Sequence, residues 1–251
     1  MVGSNFVNVT GSATVQNCYY ADGTVIGKNN VGGVVGQNSV SSGVSGNATV
    51  QYCYATGNVT GDQTVGGVAG VNKVLTGNGT ATVENCYYAI RTVKGRLYVG
   101  GIAGFNNGAN SMVQNCYATG AVSGDEMIGG VVGDHQEGIV KDCVALNSSL
   151  TSYYYGSIGR IGNDSGTFSN NYGKEPMTHT GGAWSPPAGS ANKTGANVAV
   201  DNSVSLDSLF TIPAGWSTTY WNFPSPPGNL FVGGPLPTLK NMPGSAQNPT
   251  L

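Results

Sequence analysis

Apolar positions recur along most of this chain with a long period. The run Val31-Gly32-Gly33-Val34-Val35-Gly36 returns at residues 65–70, 99–104 and 128–133. An Ala-Thr-Val-x-Asn-Cys-Tyr stretch precedes the copies at residues 13–19 and 81–87, with close variants at 48–54, as Ala-Thr-Val-Gln-Tyr-Cys-Tyr, and at 111–117, as Ser-Met-Val-Gln-Asn-Cys-Tyr. Cys18, Cys53, Cys86 and Cys116 lie 12 or 13 residues ahead of their copies, and Cys143 lies 12 ahead of the degenerate copy Tyr155-Gly156-Ser157-Ile158-Gly159-Arg160. A repeat of 27 to 35 residues, read between successive cysteines, means stacked units that bury a shared core. Val, Thr, Cys and Tyr make the cysteine-bearing stretch a strand. A short segment between glycines (residues 23–27, 57–61 and 120–124) and the Val-Gly-Gly run supply two more. Three short strands per period without helical periodicity predict a right-handed parallel β-helix, a three-sided β-solenoid of about five or six rungs.

Equivalent residues in such a stack lie roughly 4.8 Å apart, so every column of the repeat predicts a ladder. Cys18, Cys53, Cys86, Cys116 and Cys143 are expected to face inward as a thiol ladder, after a bend at the preceding Asn. Five equivalent cysteines cannot all pair, and parallel stacking seldom reaches the disulfide dihedral. Tyr19, Tyr54, Tyr87 and Tyr117, followed by Tyr172, form a column expected to face outward, where rings can stack on sugars or on one another. Lys28, Asp62, Arg96 and Asp125 each stand three residues before a Val-Gly-Gly copy and alternate in sign, which predicts a structural charge ladder. The interval from the hexapeptide's last glycine to the next cysteine shrinks from 17 (Gly36 to Cys53) to 10 (Gly133 to Cys143). Insertions therefore gather at one corner, and loops at 37–47 and 71–80 are expected to project there as a binding edge.

Composition narrows the partners. Charged residues make up 9% of the 251 positions and the net charge is -2, so no basic stripe exists to meet a nucleic acid backbone. No apolar run is long enough to span a bilayer, and residues 1–5 lack the regions of a signal peptide. Val2-Gly3-Ser4-Asn5 falls in register with residues 35–38, 69–72 and 103–106. That register predicts a chain opening mid-rung, with further repeats or domains, and any export signal, ahead of it in a longer protein.

Catalytic motifs are sparse. The hexapeptide lacks the strand, helix and acidic residue of a dinucleotide site. With only His135 and His179, neither a His-Glu-x-x-His zinc site nor a Gly-x-Ser-x-Gly elbow with its triad can be written. The nearest acidic grouping is Asp125, Glu126, Asp134, His135, Glu137 and Lys141, around the fourth rung. Paired carboxylates there would serve acid and base chemistry on a polysaccharide; a solvated corner is the simpler reading. No catalytic residue, metal or cofactor is assigned.

Beyond Tyr172 the columns fade into Glu175-Pro176 and a stretch of Gly, Ser, Pro and Asn that includes Gly182, Ala183 and Trp184. Bulky residues return at 198–210, Gly215-Trp216, 220–223 and 234–240. Residues 1–173 are thus expected to form the solenoid and 174–251 an irregular cap over its last open rung.

Residues 53–61, Cys-Tyr-Ala-Thr-Gly-Asn-Val-Thr-Gly, followed by Val65 to Gly70, resemble the GLUG repeat of bacterial, adhesin-like cell-surface proteins. The later Gly-Trp, Trp-x-Phe and Leu-Pro-Thr-Leu-Lys elements resemble the ending of such arrays. The resemblance implies export to the bacterial surface and, in some relatives, attachment to IgA-specific metallopeptidases, whose zinc motif is absent here. The expected role is a non-catalytic extracellular module for adhesion, ligand binding or a stalk, with a glycan or a host or cell-surface protein as partner. The alternatives are a polysaccharide-acting β-helix enzyme and a non-catalytic arm of a surface peptidase.

Overall fold

The structure, a computed structural model, describes residues 1–154, 158–163, 165–181, 189, 191–211, 216–224, 228–242 and 247–251. Tyr155, Gly156 and Ser157 of the degenerate repeat, the 182–187 stretch with Trp184, and Gly215 lie outside the described residues. The chain is a β-solenoid of about five turns, and each complete turn contains five strands rather than the three expected.

Five parallel sheets run along the stack. The first joins Val2–Val7, Val35–Val40, Ala69–Val74, Ala103–Asn107 and Val132–His135. The second joins Gly11–Gln16, Gly46–Gln51, Thr80–Glu84, Ser111–Gln114, Ile139–Lys141 and Thr167–Ser169. The third joins Tyr19–Tyr20, Tyr54–Ala55, Tyr87–Tyr88, Tyr117–Ala118, Val144–Ala145, Tyr172–Glu175 and Ala196–Ala199. The fourth begins at Thr24–Ile26 and ends at Thr178–Thr180; the fifth begins at Asn29–Gly32 and ends at Ile158–Gly159. Parallel pairing therefore passes the expected boundary at 173 and continues to Ala199.

A column of left-handed residues creates one of the extra corners. The position before each cysteine has positive φ in every turn: Asn17 53°, Tyr52 53°, Asn85 50°, Asn115 51°, Asp142 55° and, ahead of Asn171, Asn170 52°. Asn and Asp tolerate that region because their short side chains bond locally, and they fill five of these six positions. The corner splits the cysteine-bearing stretch in two. A second left-handed column, Asn30, Thr64, Tyr98 and Met127, lies just before each Val-Gly-Gly copy. Inside the hexapeptide the chain folds onto itself so tightly that a Cβ on Gly66 would collide with the carbonyl of Ala69. Glycine is required there by close approach alone.

The inward positions form a narrow core of stacked Val15, Val50, Val83, Val113 and Val140 facing Val59, Val93 and Val122, with Cys53, Cys86, Cys116 and Cys143 fully buried beside them. Each of these thiols lies about 3 Å from the carbonyl two residues earlier, as from Cys86 to Glu84 at 3.1 Å. Cys18 is partly exposed, and all five cysteines are free. Burial pushes the Cys116 thiol well up, as expected for a thiol kept from water and cations.

The insertion corner is smaller than its sequence spacing predicts. Residues 37–40 and 71–74 are strand, and Val40, Val71 and Val74 are buried; the corner contracts to about residues 41–45 and 75–79. These strands carry an internal amide ladder. Asn5 Nδ2 donates to Asn38 Oδ1 at 2.7 Å, Asn38 to Asn72 at 2.8 Å, and Asn72 to Asn106 at 2.7 Å. The Asn38 and Asn72 amides also bond the carbonyls of Ala48 and Ala81 across the turn. His135 takes the next place: Asn106 Nδ2 meets its Nδ1 at 3.1 Å, and its Nε2 lies 3.2 Å from the Thr167 carbonyl.

Arg160 closes the far end. Ile158 and Gly159 pair with Ile128 and Gly129, so the last copy of the hexapeptide is residues 158–163 rather than the expected 155–160; Arg160 stands where earlier turns carry the second glycine of Val-Gly-Gly, and its side chain is fully buried. Its guanidinium donates to the carbonyls of Thr194, Gly173, Lys174 and Gly195, to Asn197 Oδ1 and to Glu175 Oε2 at 2.9 Å. Room comes from the facing column, which reads Tyr20, Ala55, Tyr88, Ala118, Ala145 and then Gly173. A Cβ on Gly173 would lie 2.9 Å from Arg160 Nε.

Candidate functional site

The tyrosine column points away from the solenoid core, yet most of it is not exposed. Tyr54, Tyr87 and Tyr117 are completely buried, while Tyr19 retains 46% of its surface. The rings form one stack, with centroids 5.2 Å apart from Tyr19 to Tyr54, 4.9 Å from Tyr54 to Tyr87 and 5.0 Å from Tyr87 to Tyr117. Parallel in-register strands force this spacing, and each such contact adds about 0.5–1.5 kcal/mol beyond area burial. Val144 interrupts the column, and Tyr172 lies beyond it, bonded to Asn170.

The cover is the C-terminal segment, which lies along the flank of the solenoid as a strap. Leu206, Leu209, Phe210, Trp216, Trp221, Leu230, Leu236 and Leu239 pack with the three tyrosines as a second core. Trp216 and Trp221 stack at 4.5 Å, and both approach Tyr117 at about 6 Å. Tyr117 donates to the Pro237 carbonyl at 2.7 Å and Tyr87 to Gln247 at 3.1 Å. The bulky residues expected over the last rung thus cover the flank. Burial pushes Tyr54 up to about 12, with Tyr19 beside it adding to the effect, and raises Tyr87 and Tyr117 further.

The strap grips the left-handed column of the solenoid. Trp216 Nε1 donates to the Asp142 carbonyl at 2.9 Å, Trp221 Nε1 to Asn85 Oδ1 at 3.2 Å, and Tyr220 stacks on Tyr52 at 4.6 Å. It stops short of Asn17. A recess of about 160 Å³ lies at that point, lined by Gln16, Asn17, Tyr52, Thr219, Tyr220, Lys240 and Asn241. Tyr19 follows Asn17 by two residues, with one ring face on Tyr54 and much of the rest open to solvent.

Of the charge column, Arg96 and Asp62 join as an ion pair at 2.7 Å, both partly exposed. The register extends to all four members, since the amides of Asp62, Arg96 and Asp125 each donate to the preceding member's carbonyl, that of Lys28 at the start. No side-chain ion pair joins Lys28 or Asp125 among the described residues. The acidic grouping does not form one site. His135 is buried at the end of the amide ladder, Asp134 is buried and accepts from Gln136, Asp125 belongs to the charge column, and Glu137 lines an open surface recess. Among the described residues no group of three or more His, Cys, Asp or Glu is placed to hold a metal, and no helix is long and apolar enough to cross a membrane.

Sequence reasoning missed the strap-edge recess. Gln16 and Asn17 had been visible only as parts of the repeat, and Tyr52 as the one departure from Asn or Asp in its column. That departure was the available signal, because it marks where Tyr220 stacks.

Residues 95–123 match the family model described as the GLUG motif. The chain carries a GLUG motif. The matched segment is one complete circuit of the solenoid, from just before Leu97–Gly100 through Asn106, the Asn115 corner, Cys116 and Tyr117 to the strand Ala121–Gly124. In this chain the matched segment is therefore one turn whose columns belong to the ladders described above. A solved structure from Bacteroides ovatus, described as a "putative immunoglobulin A1 protease", matches with a TM-score of 0.65 over 94% of this chain and 75% of that one, at 19% identity. At that identity the likeness is one of fold. No curated protein matches the chain in sequence.

Proposed function

We propose that this GLUG solenoid is a non-catalytic extracellular module of a bacterial surface protein, and that it binds a glycan or a glycosylated surface through the open end of its tyrosine stack. The observation that carries the reading is Tyr19: its ring stacks on Tyr54 and is half exposed. A fixed aromatic face with a few polar groups around it suits sugar recognition. The GLUG motif and the low charge support placement at a surface. The test is binding of the whole chain to a glycan array and to epithelial and bacterial cells, alongside Tyr19→Ala. Binding that falls in the variant supports the reading; absence of binding to every surface overturns it in favour of a stalk.

A further inference from the structure

Beneath that reading lies a more specific one, which rests on it: we infer that the recess between the strap and the first turn is a subsite for one uncharged pyranose of a glycan chain. Its walls come from two parts of the protein. Gln16 and Asn17 belong to the first turn, whereas Thr219, Tyr220, Lys240 and Asn241 belong to the strap. The volume of about 160 Å³ is roughly half the ~300 Å³ at which pockets for larger ligands begin. One sugar ring fits, and the rest of a chain stays outside.

The polar groups are arranged for hydroxyls. Gln16 accepts from Gln51 at 2.9 Å with its Oε1, which directs its Nε2 away from the ladder and leaves it without a partner among the described residues. Asn17 and Asn241 both hold left-handed backbone, at φ 53° and 59°, which fixes where their amides start. Neither amide, nor the Lys240 ammonium, has a partner among the described residues. Elsewhere the strap supplies the ring that docks on this column, Tyr220 on Tyr52 and Trp221 on Asn85. At Asn17 that ring is supplied by the ligand, whose C–H face lies against Tyr220. An uncharged sugar is favoured because every residue lining the recess except Lys240 is neutral, and their amides and hydroxyls, with the Lys240 ammonium as a donor, match ring hydroxyls.

At about 0.3 kcal/mol per heavy atom, a ring of about 12 heavy atoms binds on the order of 1 mM, so affinity for a polymer arises from repeated engagement. Saturation-transfer NMR on the whole chain, with methyl glycosides of glucose, galactose, mannose and N-acetylglucosamine and with methyl glucuronide, tests the assignment. At least one uncharged glycoside is expected to show transfer to its ring C–H protons, weakened about fivefold or more by Asn17→Gly, the loss of one hydrogen bond. Asn17→Gly keeps the left-handed corner, so its fold serves as the control for Tyr220→Ala, which also loosens the strap. Transfer to no uncharged glycoside, transfer to the glucuronide alone, or indifference to Asn17→Gly overturns the subsite. If array or cell binding persists and still depends on Tyr19 while the glycosides fail, the subsite falls and the module's function stands.

Discussion

Asn72 donates from Nδ2 to Oδ1 of Asn106, 34 residues further along the chain, at 2.7 Å, with both side chains fully buried. The same amide receives Asn38 on its Oδ1 and bonds the carbonyls of Ala81 and Met112. Every turn is therefore tied to the next by a side chain inside the stack. A buried amide is costly unless satisfied, and here it is satisfied by its own copies.

Asn72→Ala removes the donor to Asn106 and the acceptor of Asn38, and takes the amide away from the carbonyls of Ala81 and Met112. We expect a loss of about 2–4 kcal/mol in urea unfolding. Asn5→Ala, at the half-tied end of the ladder, should cost less than half as much. Equal losses would mean that the ladder is incidental.

Arg160 and Gly173 form a reciprocal pair. Arg160→Gly restores the repeat pattern but strips four carbonyls and Glu175 of their donor, at a cost of about 3–5 kcal/mol. Gly173→Ala alone should destabilise by collision with Nε. In the Arg160→Gly background it should be neutral or favourable, giving a coupling energy in a double-mutant cycle.

The buried tyrosines set an alkaline limit. In the unfolded chain they ionise near the usual tyrosine value of about 10, whereas Tyr54 in the folded state is pushed up to about 12 and Tyr87 and Tyr117 higher still, by burial first and neighbouring tyrosines second. Above pH 10 the folded state holds more protons than the unfolded state, so stability is complete below that pH and falls as pH rises past it. Urea midpoints at pH 8, 10 and 11 should decline only beyond 10. Tyr87→Phe should make the decline shallower, and a flat profile in wild type would contradict the burial.

Trp221→Ala opens the second core. It removes the ring beside Tyr87 and Tyr117 and the bond to Asn85, at about 3–5 kcal/mol. Because the solenoid has its own core, the strap should release before the turns melt. Limited proteolysis is expected to cleave within residues 200–251 while the repeats persist; simultaneous loss of both would show a single cooperative unit.

Much of the stack was legible in the chain. The hexapeptide and cysteine columns gave the parallel ladders, and the same alignment that placed Asn5, Asn38, Asn72 and Asn106 in one register contained the amide ladder, though not its inward direction. The number of strands per turn was less legible. Whether Asn17 or Met127 turns left-handed depends on the closure of the whole coil, and local propensity favours Asn there but says nothing for Met or Thr.

The repeat by itself determined the stacking, because a period of fixed columns can satisfy its backbone and its apolar residues only against its own copies. Which outward columns meet water was decided by tertiary structure alone. The strap has no repeat to announce its path, so only the folded chain shows that Tyr54, Tyr87 and Tyr117 lie beneath Trp216 and Trp221 while Tyr19 and Asn17 stay open. Burial depends on a segment more than a hundred residues away in sequence for most of these contacts, and no column of the repeat encodes that distance.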